Sequence, residues 1–315
     1  MHPSLKGPFA VLAMLCLSAA GAHGQECREI AHEAGTDCVP LNPQRIAVLD
    51  PLTALPTLLS LDAPIVGSAQ VYPGDDGYPS YIDKADVAGI ASFGGMRDLN
   101  MEAILAADPD LIIGDVANMG QIVDELRKIA PVVVTKYTYY QSDWLAEVRR
   151  IADAVNRSEA VEAQIADLTA RAEAIKARFA AEGRSPTLSR VDIYRDQPLY
   201  YRFNCTWFGA LLGVAGVGQP ESQRGECSEG QSSTVFQMVS LEEIGTYFEG
   251  DAIAVYEQQG GSALETVGSW PTWAALDVVK QGGVHVVGDA WGVGASIPAG
   301  LLILDDLDRD LFPAR

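Results

Sequence analysis

Long apolar runs are scarce in this chain. The one near the N-terminus, Pro8–Ala20, is too short for a comfortable membrane span, and no other run approaches the length needed. Basic residues are also few: 22 Lys and Arg stand against 42 Asp and Glu, a formal charge of −20. Such a surface repels nucleic acid and anionic membranes, which argues against both as partners. Most of these acids read as solvated faces that keep the chain soluble. Catalytic signatures are missing as well. The sequence contains no G-x-x-x-x-G-K-[ST], no G-x-S-x-G and no H-E-x-x-H. Gly213, Gly216 and Gly218 do not make a dinucleotide fingerprint, because they follow a helical segment and run into Pro220. No nucleophile–base pair is readable, so the expectation is a protein that is not an enzyme and holds no intrinsic cofactor.

What is present begins with an export signal. Lys6 supplies a positive start, Pro8–Ala20 the apolar stretch, and Ala22-His23-Gly24 the small residues at which a signal peptidase cuts. Cleavage after Gly24 moves the formal charge to −21. Cys16 sits in a poor context for lipidation, behind Ala13-Met14-Leu15, so a soluble periplasmic protein is expected. Four cysteines then remain: Cys27, Cys38, Cys205 and Cys227. An even number in an oxidising compartment implies disulfides with three possible connectivities. Pairing by neighbourhood gives Cys27–Cys38, clamping a hairpin that turns at Gly35-Thr36, and Cys205–Cys227. Zinc is a weak alternative, since no C-x-x-C occurs and only His32 and His285 survive processing.

The most informative feature is a unit that occurs twice. LNMEAILAADPDLIIGD (99–115) has its counterpart in VSLEEIGTYFEGDAIAVYE (239–257). Asn100 or Ser240 opens a helix, with Glu102 or Glu242 two positions on. Asn and Ser cap helix N-termini by accepting orphan N–H groups, and a carboxylate in the first turn suits the positive end. A β-branched run follows in each copy and reads as a buried parallel strand. Two related lobes are therefore expected.

Around these units, short apolar runs alternate with amphipathic segments. Strands are expected at 46–50, 65–69, 111–115 and 132–137, and helices at 52–60, 100–107, 119–129 and 142–155. A Pro-, Gly- and Tyr-rich loop separates 69 from the first Glu helix. Over 158–182 the alternation stops. Val161, Ile165, Leu168, Ala172, Ile175 and Phe179 recur by fours and threes, the pattern of one continuous helix, with Asp167 and Arg171 as an i,i+4 pair. After Ser189 the alternation resumes: strand, helix 206–215, irregular 220–238, the second Glu unit, helix 269–280, strand VHVVGD and helix 297–308. This organisation divides the chain into a signal (1–24), an N-terminal lobe (25–156), a connecting helix (157–183) and a C-terminal lobe (184–315). The fold class is α/β: two Rossmann-like α/β lobes joined by a single long helix, with a ligand cleft between the lobes.

Read in order, PQRIAVLD (43–50), GGMRDLNMEAILAADPDLIIG (94–114), VSLEEI (239–244) and the ending W…L…VKQGGVHVV (273–287) resemble the helical-backbone class of ABC-transporter substrate-binding proteins. That family captures ferric siderophores, haem or cobalamin, and the resemblance covers essentially the whole mature chain. It implies that Glu102 and Glu242 dock into arginines of an inner-membrane permease, with Glu243 the neighbour open to confusion. It also implies a ferric siderophore as transported ligand and a monomeric carrier. Haem or cobalamin on the same architecture is one alternative, and an α/β enzyme using the cleft is another. For ligand contacts, Arg97 stands on the loop before the Glu102 helix, and Arg195 and Arg202 bracket QPLYY; three arginines in so acidic a chain suit an anionic ligand. Tyr72, Tyr200, Tyr201, Trp207 and Trp291 are the candidate aromatic walls.

Overall fold

Strand β3 (Ile46–Val48) is fully buried and lies inside a six-stranded sheet. Beside it run β4 (Ile65–Gln70), β5 (Ala91–Gly95), β6 (Asp98–Leu99), β7 (Leu111–Asp115) and β8 (Val132–Thr135), in the order β6-β5-β4-β3-β7-β8. The computed structural model describes residues 26–71, 77–136, 143–194, 197–201, 205–225, 236–256, 263–292 and 294–314. Successive side chains of a strand face opposite ways, and this sheet is apolar on both faces. Ile46, Val48, Leu111, Ile113 and Val133 enter one core; Ala47, Leu49, Ile112, Val132 and Val134 enter another.

The second lobe repeats the plan with five strands: β9 (Leu188–Tyr194), β10 (Gln197–Tyr201), β11 (Phe236–Met238), β12 (Ala252–Tyr256) and β13 (Val284–Val287). Their order is β11-β10-β9-β12-β13, with β9, β12 and β13 parallel. Here too alternate residues divide between two cores: Val191, Ile253 and Val255 on one side, Leu188, Ala252 and Ala254 on the other.

Between the sheets runs the helix Ser158–Ala181, close to the expected 158–182. At 24 residues it is about 36 Å long at 1.5 Å per residue. All six residues of its seam, Val161 to Phe179, are buried in one core with Trp144, Trp207, Trp291 and the helix Ile297–Asp306. Gly183, at φ +64, supplies the left-handed turn that stops it. Arg171 does not hold Asp167 but crosses to Asp305, so the ion pair joins two helices instead of decorating one.

Several expected elements are altered. The helix expected over 119–129 is two short ones, Val116–Met119 and Val123–Leu126, because Asp115 caps the first immediately after β7. The Trp-rich helix of 269–280 is likewise split into Pro271–Ala274 and Asp277–Lys280. The irregular stretch 220–238 ends in β11, and β5, β6 and β10 are additional strands; β6, β10 and β11 pair antiparallel at sheet edges. No helix among the described residues is long and apolar enough to cross a membrane.

N-terminal to the first lobe, β1 (Cys27–His32) and β2 (Gly35–Pro40) form a hairpin. Its turn is Glu33-Ala34, not Gly35-Thr36, since His32 pairs with Gly35. The expected Cys27–Cys38 disulfide is present, with Cα atoms 5.4 Å apart. Arg127 grips Asp37 at 2.8 Å, and Arg28 reaches Asp153 at 2.7 Å. The buried imidazole of His32 accepts at Nδ1 from the Ala34 N–H and so donates from Nε2 to Asp37 at 2.8 Å. Removing the disulfide (C27A/C38A) forfeits up to about 3 kcal/mol of loop-closure entropy. Amide exchange should accelerate across β1 and β2 while the two sheets keep their protection. Unchanged exchange in the hairpin would mean that the Asp37 and Asp153 anchors hold it unaided.

Candidate functional site

Parallel strands deliver their C-terminal ends to one edge of a sheet, the edge at which α/β proteins hold ligands. In the first lobe Val48 pairs with Ile113, so two residues further on Asp50 and Asp115 stand side by side. Asp50 holds the turn that leads into the helix Ala54–Ser60, and Asp115 caps the helix that follows its strand. Asp50 accepts the N–H groups of Leu52 (2.9 Å), Thr53 (3.0 Å) and Ala54 (3.1 Å). Asp115 accepts those of Ala117 (2.7 Å) and Asn118 (3.0 Å), and the Asn118 amide at 2.7 Å. Both side chains are buried. Burial raises both carboxyls above the usual range, and the nearby charge of Asp50 helps to push Asp115 up to about 7.

From the second lobe, Asp289 comes to the same junction. Its carboxylate accepts the Ser80 N–H of the first lobe at 2.8 Å and the Tyr256 hydroxyl at 3.4 Å. Burial, reinforced by the charges of Asp50 and Asp289, holds the Tyr81 phenol well above its usual value. Behind Tyr256 lies Arg190, buried, its guanidinium between the rings of Phe208 (4.7 Å) and Tyr256 (5.0 Å) and paired with Asp192 through Nε at 3.1 Å and Nη2 at 3.0 Å. Sequence reasoning did not single out Arg190. The signal was nevertheless there, since Arg190 and Asp192 are two apart and share one face of β9.

The expected aromatic walls divide differently. Trp207 is wholly buried and packs edge-on against Trp144 at 5.5 Å and Phe208 at 6.2 Å, which makes it a core residue. Trp291 is buried too and donates its indole N–H to Asp306 at 2.7 Å. Tyr200 sits inside the second lobe, stacked on Tyr247 at 5.4 Å with its hydroxyl 3.1 Å from Gln237. These three therefore pack the lobe interiors and present no wall to a cleft. The reason is ordinary: large aromatic surfaces near a lobe junction gain more from packing than from standing in water. Tyr72, Arg195 and Arg202, and the side chain of Tyr201, lie outside the described residues.

Arg97 is exposed in the two-residue turn between β5 and β6, at the C-terminal edge of the first sheet. The main chain is held there by the Met96 N–H on the Gln70 carbonyl at 2.8 Å. Cys205 is disulfide-bonded; Cys227, its expected partner, lies outside the described residues. A hollow of about 430 Å³ is lined only by the segment Tyr78–Val87, so it is not a cleft between lobes. Among the described residues no group of three His, Cys, Asp or Glu side chains could hold a metal ion.

The repeated Glu units are placed as local chemistry dictates. Asn100 caps Met101–Ala106, accepting the Ala103 N–H at 3.0 Å, and Glu102 is exposed in the first turn. In the second lobe Glu243 turns back to accept the Ser240 hydroxyl at 2.8 Å and its N–H at 3.3 Å. Glu242 stays exposed in the same turn. The helix there opens as a tight turn at Leu241–Glu243 before becoming α-helical at Ile244–Tyr247.

Two mixed α/β lobes, a long helix between them and strand ends converging at the junction define a ligand-binding protein of the two-lobed kind. The chain belongs to the periplasmic binding protein family, matched over residues 55–290. It is 28% identical over 289 residues to the probable siderophore-binding lipoprotein YfiY of Bacillus subtilis, covering 89% of this chain and 86% of that one. With the Fe(3+) dicitrate-binding periplasmic protein FecB of Escherichia coli it shares 27% identity over 199 residues, 62% of this chain and 63% of FecB. In fold it is similar to Staphylococcus aureus SirA complexed with staphyloferrin B, with a TM-score of 0.75, 22% identity, and coverage of 89% of this chain and 97% of SirA. The petrobactin-binding protein YclQ of Bacillus subtilis matches with a TM-score of 0.74 at 19% identity, over 91% and 99% of the two chains.

The buried carboxylates give the lobe a distinctive response to pH. Asp115 holds its proton to about 7 when folded but releases it at ordinary carboxylate values when unfolded. Folding therefore binds a proton between those values, and stability falls as pH rises through that window. Asn at position 115 keeps the cap oxygen and removes the charge. D115N should raise stability at pH 8 by on the order of 1–3 kcal/mol and change little at pH 5. Denaturant midpoints at the two pH values check this; an equal shift at both would mean that packing, not charge, is what the substitution altered.

Proposed function

We propose that this protein is exported to the periplasm, captures a ferric siderophore between its lobes and delivers it to the permease of an ABC importer. The observation that carries this reading is the near-full-length similarity to relatives named for binding siderophores and ferric citrate, in a family of binding proteins. The ligand is an anionic ferric chelate, held through Arg97, Arg195 and Arg202, with Tyr72 and Tyr201 as the aromatic contacts. Guanidinium forks match carboxylate and catecholate oxygens and cannot be deprotonated at any physiological pH. The chain works as a monomer, leaving Glu102 and Glu242 to present one carboxylate from each lobe to basic residues of the permease. Glu243 serves the fold, because its carboxylate is already engaged by Ser240.

Titration of tryptophan fluorescence against a panel of ferric chelates, anionic and neutral, tests the ligand class. Wild type should prefer the anionic members. R97A and R202A should each weaken that binding by about 2–5 kcal/mol if the contact is desolvated. Under about 1 kcal/mol, fading with added salt, would place the arginine on the rim. Equal binding of both kinds by wild type and variants would overturn the assignment, and an intense Soret band on mixing with haemin would replace it with haem.

Docking is tested separately. E102A and E242A should abolish uptake while ligand affinity stays within tenfold of wild type, about 1.4 kcal/mol. E243A should lose the cap and some stability but keep uptake. Loss of ligand affinity in E102A or E242A would put that carboxylate in the ligand site.

A further inference from the structure

The long helix is not the only connection between the lobes. At the junction the first-lobe segment Ser80-Tyr81 is fastened to the second lobe through the Ser80 N–H, which donates to Asp289 at 2.8 Å. Asp289 is itself held from its own lobe by the Tyr256 hydroxyl at 3.4 Å, and Tyr256 lies against Arg190. The ring of Tyr81 packs on both the first-lobe core that contains Leu55 and Ile113 and the core shared with Trp291 and Ile297. Beside it the two backbones touch. A Cβ on Gly294 of the second lobe would fall 2.3 Å from the Leu52 carbonyl oxygen of the first, so only glycine allows that approach.

We propose that the Ser80–Asp289 hydrogen bond and the packing of Tyr81, closed over the Leu52–Gly294 backbone approach, form a clasp that fixes the angle between the lobes, so that the long helix alone does not restrain them. Rotation apart about the helix would separate Ser80 from Asp289, pull Tyr81 off the shared core and open a gap where Gly294 meets Leu52. The clasp is directional because its donor is a backbone N–H, which cannot follow a moving carboxylate by changing rotamer. Its consequence for transport rests on the binding-protein reading: with the lobe angle fixed, the separation of Glu102 from Glu242 is fixed as well.

The test needs no transported ligand. Spin labels on Lys128→Cys in the first lobe and Glu265→Cys in the second, both exposed positions, report the lobe-to-lobe distance by pulsed electron resonance. With the clasp intact one narrow distribution is expected. D289A should broaden it and shift it to longer distance, and G294A, which wedges the backbones while leaving every hydrogen-bonding group in place, should do the same. D289N keeps an acceptor for Ser80 and should match wild type. A wild-type distribution in both D289A and G294A would overturn the clasp. If D289A does not fold, G294A decides alone. The distances are read without ligand, so failure of the siderophore assignment shows in the fluorescence titration and leaves this result untouched.

Discussion

The seam of the helix Ser158–Ala181 is the packing on which the rest depends. Its six buried positions alternate by four and three, which keeps them on one stripe of an α-helix and lets a single element span the ground between two sheets. Each fully buried aliphatic side chain contributes about 1.5–3 kcal/mol relative to exposure, so a stripe of this length can hold together elements that share no sheet. Trp144 from before the helix and Trp207 and Trp291 from after it close over the same stripe. The second lobe and the end of the first thus share one core, and the lobes cannot be treated as independent beads on a linker. That shared core also explains why tryptophans that look suited to a cleft are interior: the helix supplies a large apolar surface, and they are the residues large enough to cover it.

The parts of the fold legible in the sequence are those in which a local signal and the tertiary outcome coincide. The seam of the long helix, the LIIGD and AIAVY strands and the Asn100 cap are of this kind. Elements were missed where the local signal is weak or is overridden. ASFGG carries little hydrophobic signal, yet forms β5 because β4 offers an unpaired edge. QPLYY and FQM become β10 and β11 because the edge of β9 accepts an antiparallel neighbour, a pairing that no periodicity within those few residues announces. The helix expected over 119–129 is divided since Asp115 begins a helix at once, and Gly120 closes it where a Cβ would fall 2.6 Å from the Val116 carbonyl oxygen.

The site was legible to a smaller degree, and for a physical reason. Residue type says what a side chain can bind, whereas burial decides whether it can be reached. Arg97 is exposed in a turn at the sheet edge. Tyr200, Trp207 and Trp291 have the right chemistry for a wall but spend it on Tyr247, Trp144 and Asp306. Conversely, Asp50, Asp115 and Asp289 drew no attention as members of an acidic chain, yet they are the ones that organise the junction. Asp50 and Asp115 are tolerable when buried because preorganised N–H groups at helix starts replace water.

The same distinction resolves the apparent conflict between a chain of formal charge −20 and the anionic ligand proposed for it. At physiological ionic strength a charge is screened beyond about 8 Å, so the acids spread over the outer faces exert little force at a cleft mouth. What governs binding there is the handful of groups in contact, where water is excluded and the effective dielectric falls. Among the described groups at the junction, Asp50 and Asp115 face inward with their oxygens occupied by backbone N–H groups and the Asn118 side-chain amide, and Asp289 accepts from Ser80 and Tyr256. A carboxylate so engaged presents less negative potential than a free one. An acidic protein can therefore offer local positive charge to an anionic chelate, provided its nearest carboxylates are already committed to the fold.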